Sequence, residues 1–258
     1  MLRPSPKRRE PSVRGMTTGT TGTPDSTRTT GTTDTTRTTG THRVIRPSIL
    51  YFGTPVVLLT TENEDGSVNL APISSAWALG QRVVLGLGSE SQTVRNLGAR
   101  PELVISVASP ELWERVERLA PLTGADPVPP GKRAVYRYER DKFAAAGLTP
   151  VDSDVVRPPR VAECGLHLEA RAVALTAGGE GRFHSVECEV LRVHAAEHIV
   201  VPGTHHIDPA VWSPLIYNFR HYHGLAPELG HGFRSETAGP GTGPGMRPCG
   251  RSSARAPE

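Results

Sequence analysis

Two clusters of small hydroxyl and amide side chains stand out in the first half of the chain. The first ends in Asn69-Leu70-Ala71-Pro72-Ile73-Ser74-Ser75, and about twenty residues on comes Ser89-Glu90-Ser91-Gln92-Thr93-Val94-Arg95-Asn96. Side chains this small let backbone N–H groups approach an anion or a flat polar ring closely, with no need of lysine or histidine chemistry. The pattern is one of cofactor binding, and a cofactor carries the reaction itself. Motifs for other chemistries are missing from the sequence. No G-x-G-x-x-G follows a strand, no G-x-x-x-x-G-K-[ST] occurs, and no G-x-S-x-G marks a hydrolase elbow. A Rossmann fold is therefore not expected, and no side chain is assigned a catalytic role.

Ten histidines invite a metal reading, with His205-His206, His221-x-His223 and His231 crowding the C-terminal third. An H-x-H on a strand supplies two ligands, yet no carboxylate or cysteine stands at a recognisable spacing beside it. These histidines are read as partly exposed and hydrogen-bonded, and no metal is expected. Glu187 and Glu189 flank Cys188 on one strand face and are read as solvated.

The elements that must position the two clusters are mainly strands. Runs rich in β-branched and aliphatic residues predict strands at Val56–Thr61, Val68–Ala71, Val83–Leu87 and Leu103–Val107. Both clusters then fall at the ends of neighbouring strands. A short helix is predicted from Thr93 to Leu97, capped by Ser91. Another follows Ser109-Pro110-Glu111, with Leu112, Trp113, Val116 and Leu119 on its core face. The run from Pro121 to Pro130 holds too many prolines for helix or central strand, and reads as a functional loop or lid. A small helix is predicted from Asp141 to Gly147. Strands resume at Cys164–Val173, with Leu166, Leu168 and Ala170 facing inward against polar neighbours, then at Phe183–Val193 and His198–Val201. Asp208-Pro209 is expected to open one short helix. Short strands with inserted helices predict a small β-barrel rather than a doubly wound sheet.

The ends of the chain differ from its middle. Met1 to about Arg14 is basic and proline-rich, and Thr17–Thr41 is almost only Thr and Gly, with Thr27-Arg28-Thr29-Thr30-Gly31-Thr32 recurring from Thr36. Such a run buries too little surface to offset the entropy of ordering it. Residues 1–45 and 236–258 are thus expected to be disordered tails around one domain at 46–235, and Met16 is a second candidate start. Of the net charge of +3, residues 1–16 carry +4, residues 17–46 carry +2 and residues 236–258 carry +1, which leaves −4 on residues 47–235. A mildly acidic core argues against a nucleic-acid partner. The three cysteines form no CxxC and no even framework, which favours a reducing compartment. No apolar stretch approaches the roughly 20 residues of a membrane span, and the N-terminus has no apolar core of a secretory signal. A cytoplasmic protein is the expectation.

Residues Ile49 to about Arg234 resemble the flavin reductase-like family, whose domain is an FMN-binding split β-barrel. The resemblance rests on ordered blocks: Tyr51-Phe52-Gly53-Thr54-Pro55-Val56-Val57-Leu58, Asn69 to Trp77, and Ser91-Gln92-Thr93-x-x-Asn96-Leu97. It continues with Leu119-Ala120-Pro121-Leu122-Thr123-Gly124, Asp141-Lys142-Phe143, Pro158-Pro159-Arg160, Glu163-Cys164-x-Leu166 and Phe219-Arg220-His221-Tyr222. The family commonly has proline and glutamine where this chain has Gly165 and His167, and an aromatic where it has His223.

What the resemblance implies is specific. Pro72, Ile73, Ser74 and Ser75 would border the isoalloxazine, mostly through backbone groups. Ser91, Gln92 and Thr93 would hold the phosphate at the first turn of a helix, and Asn96 would support that turn. Independently of the resemblance, Arg220 is placed on the substrate side by residue type, a cation beside the Tyr222 ring suiting a nucleotide or an acceptor ring, the alternative being that Phe219-Arg220-His221-Tyr222 packs the chain end onto the barrel or the dimer interface. The implied function is reduction of flavin, with FMN as cofactor, by hydride from NADH or NADPH, in a homodimer that supplies a partner oxygenase or another acceptor. The alternative is a flavin-binding electron carrier or sensor without pyridine-nucleotide turnover, which shares every flavin-side motif.

Overall fold

The strand-forming runs pair into one antiparallel sheet of seven strands. In chain order they are β1 (Val57–Glu62), β2 (Val68–Ile73), β3 (Ala76–Leu79), β4 (Arg82–Gly88), β5 (Glu102–Val107), β6 (Leu166–Gly178) and β7 (Phe183–Ala195). In space the order is β2-β1-β5-β6-β7-β4-β3, every pair antiparallel. This is a computed structural model, and it describes residues 42–230 and 232. Almost all of both expected tails lies outside the described residues.

β2 and β3 are the two edges of this sheet, yet only Ser74 and Ser75 separate them in the chain. The step from Ile73 to Ala76 spans at most about 11 Å, whereas seven strands laid flat extend over roughly 28 Å. The sheet must therefore curl until its edges approach each other. The result is the expected barrel, split along the β2/β3 seam, with Ser74-Ser75 bridging the split.

Curling buries both faces of β1. Val57 and Leu59 point into the barrel with Val83, Leu85, Leu103, Ile105 and Val186. Leu58 points the other way, into a second core with Leu70, Leu112, Val116, Leu119, Phe143 and Leu215. That explains an unbroken apolar run where a half-exposed strand would alternate. Helix α1 (Gln92–Ala99) packs against β1, β2 and β4. Helices α2 (Trp113–Leu119) and α3 (Lys142–Ala146) pack on each other and on β2. Asp141 caps α3 by accepting the Ala144 amide at 3.0 Å, and Gly147 ends it at φ 69°, the left-handed conformation glycine adopts without strain. A smaller sheet pairs Phe52–Pro55 with Ile216–Asn218, and that strand with His221–His223. No helix among the described residues is long and apolar enough to cross a membrane.

Four sequence expectations change. Trp113 is exposed at the start of α2 while Leu112, Val116 and Leu119 hold the core, because a 3-10 turn at Pro110–Leu112 rotates the helix face. His198–Val201 is a 3-10 turn (Glu197–Ile199) with one isolated bridge from Val200 to Ile207, not a strand. Asp208-Pro209 makes a turn and no helix. On β6 the polar neighbours of Leu166 and Leu168 are buried, His167 at 7% and Glu169 at 0% exposure. The loop at residues 152–159 crosses that face, and Glu169 accepts its Asp154 and Val155 amides at 2.9 and 2.6 Å.

Candidate functional site

The strand ends at the seam and the start of α1 enclose a cavity of about 440 Å³. Pro72, Ile73, Ser74 and Ser75 form one wall, and Ser91, Gln92 and Thr93 form another. The two clusters singled out in the sequence are therefore walls of one space. Gly86 and Gly88 of β4 line it between them. A Cβ on Gly86 would stand 2.9 Å from Ser75 Cβ, while one on Gly88 meets nothing within 4 Å. The first glycine lets Ser75 pass, and its amide donates to Ser75 O at 2.7 Å. The second leaves open room in the cavity wall.

α1 presents its N-terminus to this space. Ser91 Oγ accepts the Val94 amide at 3.2 Å, which leaves the first-turn amides of Gln92 and Thr93 without an intrahelical acceptor. Behind them runs a buried polar network. Asn69 Nδ2 donates to Thr93 Oγ1 at 3.2 Å, and Lys142 Nζ donates to Asn69 Oδ1 and to Leu70 O, both at 3.0 Å. Asn96 lies outside the cavity wall. Its Nδ2 donates to Thr61 Oγ1 at 3.0 Å and Asn63 Oδ1 at 2.8 Å, pinning α1 to β1 and the turn after it. Asn96 thus stands one layer behind the wall.

Lys142 lines the same cavity, a place that its sequence block Asp141-Lys142-Phe143 does not reveal. It is buried, and burial pulls its pKa from 10.5 to about 8, with Glu139 opposing the shift and Lys132 adding to it. Lys132 also lines the cavity, its pKa lowered by burial with Glu90 opposing. The loop expected as a lid contributes Leu122, Thr123 and Gly124, and its continuation brings Lys132 and Tyr136. A Cβ on Gly124 would collide with the Asn69 amide and stand 3.3 Å from Gln92 Cγ. Three more rings complete the walls: Tyr51, Tyr217 and Tyr222, with neighbouring centroids 5.5 and 5.3 Å apart. Spacing alone could not have found these tyrosines, since the small sheet brings them from opposite ends of the domain.

Arg220 is not in this cavity. It sits at the tip of the C-terminal hairpin beside a second pocket of about 420 Å³. Burial, and a hydrogen bond to the Glu117 carboxylate at 2.9 Å, raise the pKa of the Tyr222 hydroxyl. Of the departures noted above, His167 and Gly165 line neither space and His223 lines the second. His167 Nδ1 is 3.0 Å from Ser106 Oγ, and burial pulls its pKa down to about 4.

Asp154, Glu169 and His194 form a cluster of metal-ligand type, their donor atoms within 4.8 Å of one another. Protein groups already hold them. Arg192 donates to Asp154 Oδ2 at 2.7 Å, and His194 Nε2 lies 2.6 Å from Glu169 Oε1. The cluster fastens the loop of residues 152–159 to β6 and β7, on the far side of the sheet order from the seam. Glu187 and Glu189 are half exposed beside Arg82, as expected of solvated carboxylates.

The surroundings suit a flavin. The volume lies within the roughly 300–1,000 Å³ of small-molecule sites. Polar backbone borders one end, first-turn amides and two lysines border the other, and aromatic rings lie along the side.

Comparison with known proteins agrees with this fold. The chain is 46% identical over 195 residues to the uncharacterized protein YdfE of Bacillus subtilis (strain 168), covering 75% of this chain and 94% of that one. Its fold is similar to that of the flavoredoxin of Desulfovibrio vulgaris (Miyazaki F), with TM-score 0.63 at 20% identity over 77% of this chain and 100% of that one. It is also similar to nitrilotriacetate monooxygenase component B from Bacillus cereus, with TM-score 0.57 at 21% identity over 72% and 89% of the two chains. The flavin reductase like domain matches residues 49–226, a span that contains the whole curled sheet and every residue lining the cavity, and the chain belongs to that family.

Proposed function

We propose that this protein is an FMN-binding oxidoreductase that passes hydride from NADH or NADPH to flavin and supplies a partner oxygenase or another acceptor. The observation that carries this reading is the meeting of Pro72–Ser75 and Ser91–Thr93 in one cavity. When bound, the flavin supplies the hydride-accepting N5 and returns electrons to an acceptor. The protein's own part is binding, orientation and exclusion of water. Ser91, Gln92 and Thr93 hold the phosphate through hydroxyls and first-turn amides, and Lys142 adds a cation behind them. Pro72 to Ser75 border the ring system with backbone groups, and the bare Gly88 leaves it room. Tyr51, Tyr217 and Leu122 offer apolar cover. No acid or base is required for hydride transfer, which accords with a cavity that holds no nucleophile–base pair.

Exposed apolar side chains on β3, β6 and β7 (Trp77, Leu79, Val173, Phe183 and Val193) support pairing as a homodimer. An oxygenase partner is supported by the name of one structural relative, a monooxygenase component. The deciding experiment is anaerobic addition of NADH or NADPH to the FMN-loaded protein. Loss of the yellow absorbance at a rate that supports turnover is expected. A flavin that binds but stays oxidised with both nucleotides makes the protein an electron carrier or sensor, and a colourless protein with no FMN affinity overturns both.

A further inference from the structure

The C-terminal hairpin has an unusual turn. Ile216–Asn218 pairs with His221–His223 through the two residues Phe219 and Arg220, whose φ angles are 44° and 70°. Positive φ at both central positions marks a type I′ turn, whose need Asn-Gly or Gly-Gly meets with least strain. Phenylalanine and arginine hold it against their preference, and such strain collects where side chains serve a function. The turn is fixed in place by the Phe219 amide, which donates to Tyr51 O at 2.6 Å.

The pocket of about 420 Å³ beside this turn is lined by Trp113, Leu215, Arg220, His221, Tyr222 and His223 among others. Tyr222 also lines the first cavity, so the two spaces share a wall. The Trp113 and Tyr222 rings lie 6.4 Å apart, tilted by 41°, and the indole is 46% exposed. Arg220, His221 and His223 form no ion pair among the described residues. Flat aromatic surface thus stands next to an exposed arginine carried on an anchored turn and two imidazole rings. An arginine fork matches a carboxylate or phosphate in two hydrogen bonds, and aromatic side chains take a planar ring.

We propose that this hairpin pocket binds a planar aromatic anion, its ring against Trp113 and Tyr222 and its charge on Arg220, His221 and His223. The strained Phe219-Arg220 turn presents the cation. The role so assigned rests on the flavin reading of the first cavity, since the shared Tyr222 wall makes this the place of a molecule that exchanges electrons there. Two sources carry the chemistry: the adenosine-phosphate end of a pyridine nucleotide whose other end reaches the flavin, or an aromatic carboxylate acting as electron acceptor.

The test is titration of the protein with AMP in one arm and benzoate in the other, followed by tryptophan emission, with and without FMN. At least one arm is expected to give saturable quenching, and which arm does so identifies the source. Trp113→Phe should abolish the signal, separating it from Trp77 and Trp212. Arg220→Ala should weaken binding tenfold or more with FMN affinity unchanged. The double change Phe219→Asn, Arg220→Gly relieves the turn, so it should raise the melting temperature and abolish the quenching. No quenching in either arm overturns the proposal, as does quenching that survives in the double variant with full affinity. Failure of FMN to bind strikes the reading of the first cavity alone, because the flavin-free titrations report on the hairpin by themselves.

Discussion

Lys142 Nζ stands 3.0 Å from Asn69 Oδ1, and both side chains are buried in the wall of the flavin-sized cavity. With Leu70 O as its second acceptor, the ammonium keeps one of its three N–H bonds for whatever fills the space. Asn69 passes the contact on to Thr93 at the mouth of α1. A buried cation is thus wired by one amide to the proposed phosphate site.

Lys142→Met is therefore expected to weaken FMN binding at neutral pH. Loss of a charge-assisted hydrogen bond is worth about 1.5–3 kcal/mol, or roughly ten- to a hundredfold in affinity. In the parent, affinity should fall as the pH rises through about 8, where the free ammonium loses its proton. Stability of the flavin-free protein should move the other way. An unfolded lysine keeps its proton to about 10.5, so the burden of the buried charge is relieved between about 8 and 10.5. Calorimetric titration and denaturant melts across that window check both, and a flat affinity profile in the parent removes Lys142 from the phosphate site.

Thr93→Val and Ser91→Ala test the same anion site from the helix side. Thr93 is buried, so valine keeps its shape and removes the hydroxyl. Ser91→Ala also removes the cap of α1, worth about 1 kcal/mol of stability. Each should reduce FMN affinity roughly ten- to a hundredfold by fluorescence titration. Unchanged affinity in both would mean that the phosphate lies elsewhere. Asn96→Ala makes the contrast: it unties α1 from β1, and should lower the melting temperature more than any local contact with flavin explains.

Much of this site was legible in the sequence because its parts are local. Ser91 announces a helix cap, and Pro72–Ser75 interrupts a strand with small residues. What the sequence could not show is that Ser74-Ser75 joins opposite edges of one sheet, since strand order follows from long-range pairing. The same limit hid Lys142, which looks like an ordinary helix residue until β2 is laid against α3. Trp113 was misplaced for a different reason: helical spacing puts it beside Val116, but the 3-10 turn before it shifts the face by a fraction of a turn. Arg220 was assigned by residue type alone, and type does not tell which of two adjoining pockets it serves.

Gly124 offers a steric test of the loop over the cavity. Any Cβ there collides with the Asn69 amide and crowds Gln92, both fixed by other hydrogen bonds. Gly124→Ala should push Leu122–Gly124 outward or break the Lys142–Asn69 contact. Either result weakens FMN binding, while the barrel core of Leu59, Leu85 and Ile105 is untouched. The expected readout is lower flavin affinity with a melting temperature within a few degrees of the parent. Full affinity would show that this loop does not close on the ligand.

His167 yields the last prediction, because it stands where the related family commonly has glutamine. It is 7% exposed on β6, opposite Ser106 of β5, with Nδ1 3.0 Å from Ser106 Oγ, and its pKa falls from 6.5 to about 4. Burial is the main cause, with the Arg160 and His194 charges adding to it. The folded protein therefore keeps this ring neutral while the unfolded chain protonates it below about 6.5. Stability should be lost as the pH falls through that window, by about 3 kcal/mol on reaching pH 4. His167→Gln keeps a partner for Ser106 and has no proton to gain. Denaturant melts of both proteins at neutral pH and near pH 4 isolate the difference, since every other titrating group is common to the two. The variant should lose less stability on acidification and bind FMN normally at neutral pH, because His167 lines neither cavity. Equal acid sensitivity would show that the ring is not held neutral by burial, and a loss of flavin affinity would show that it reaches the site after all.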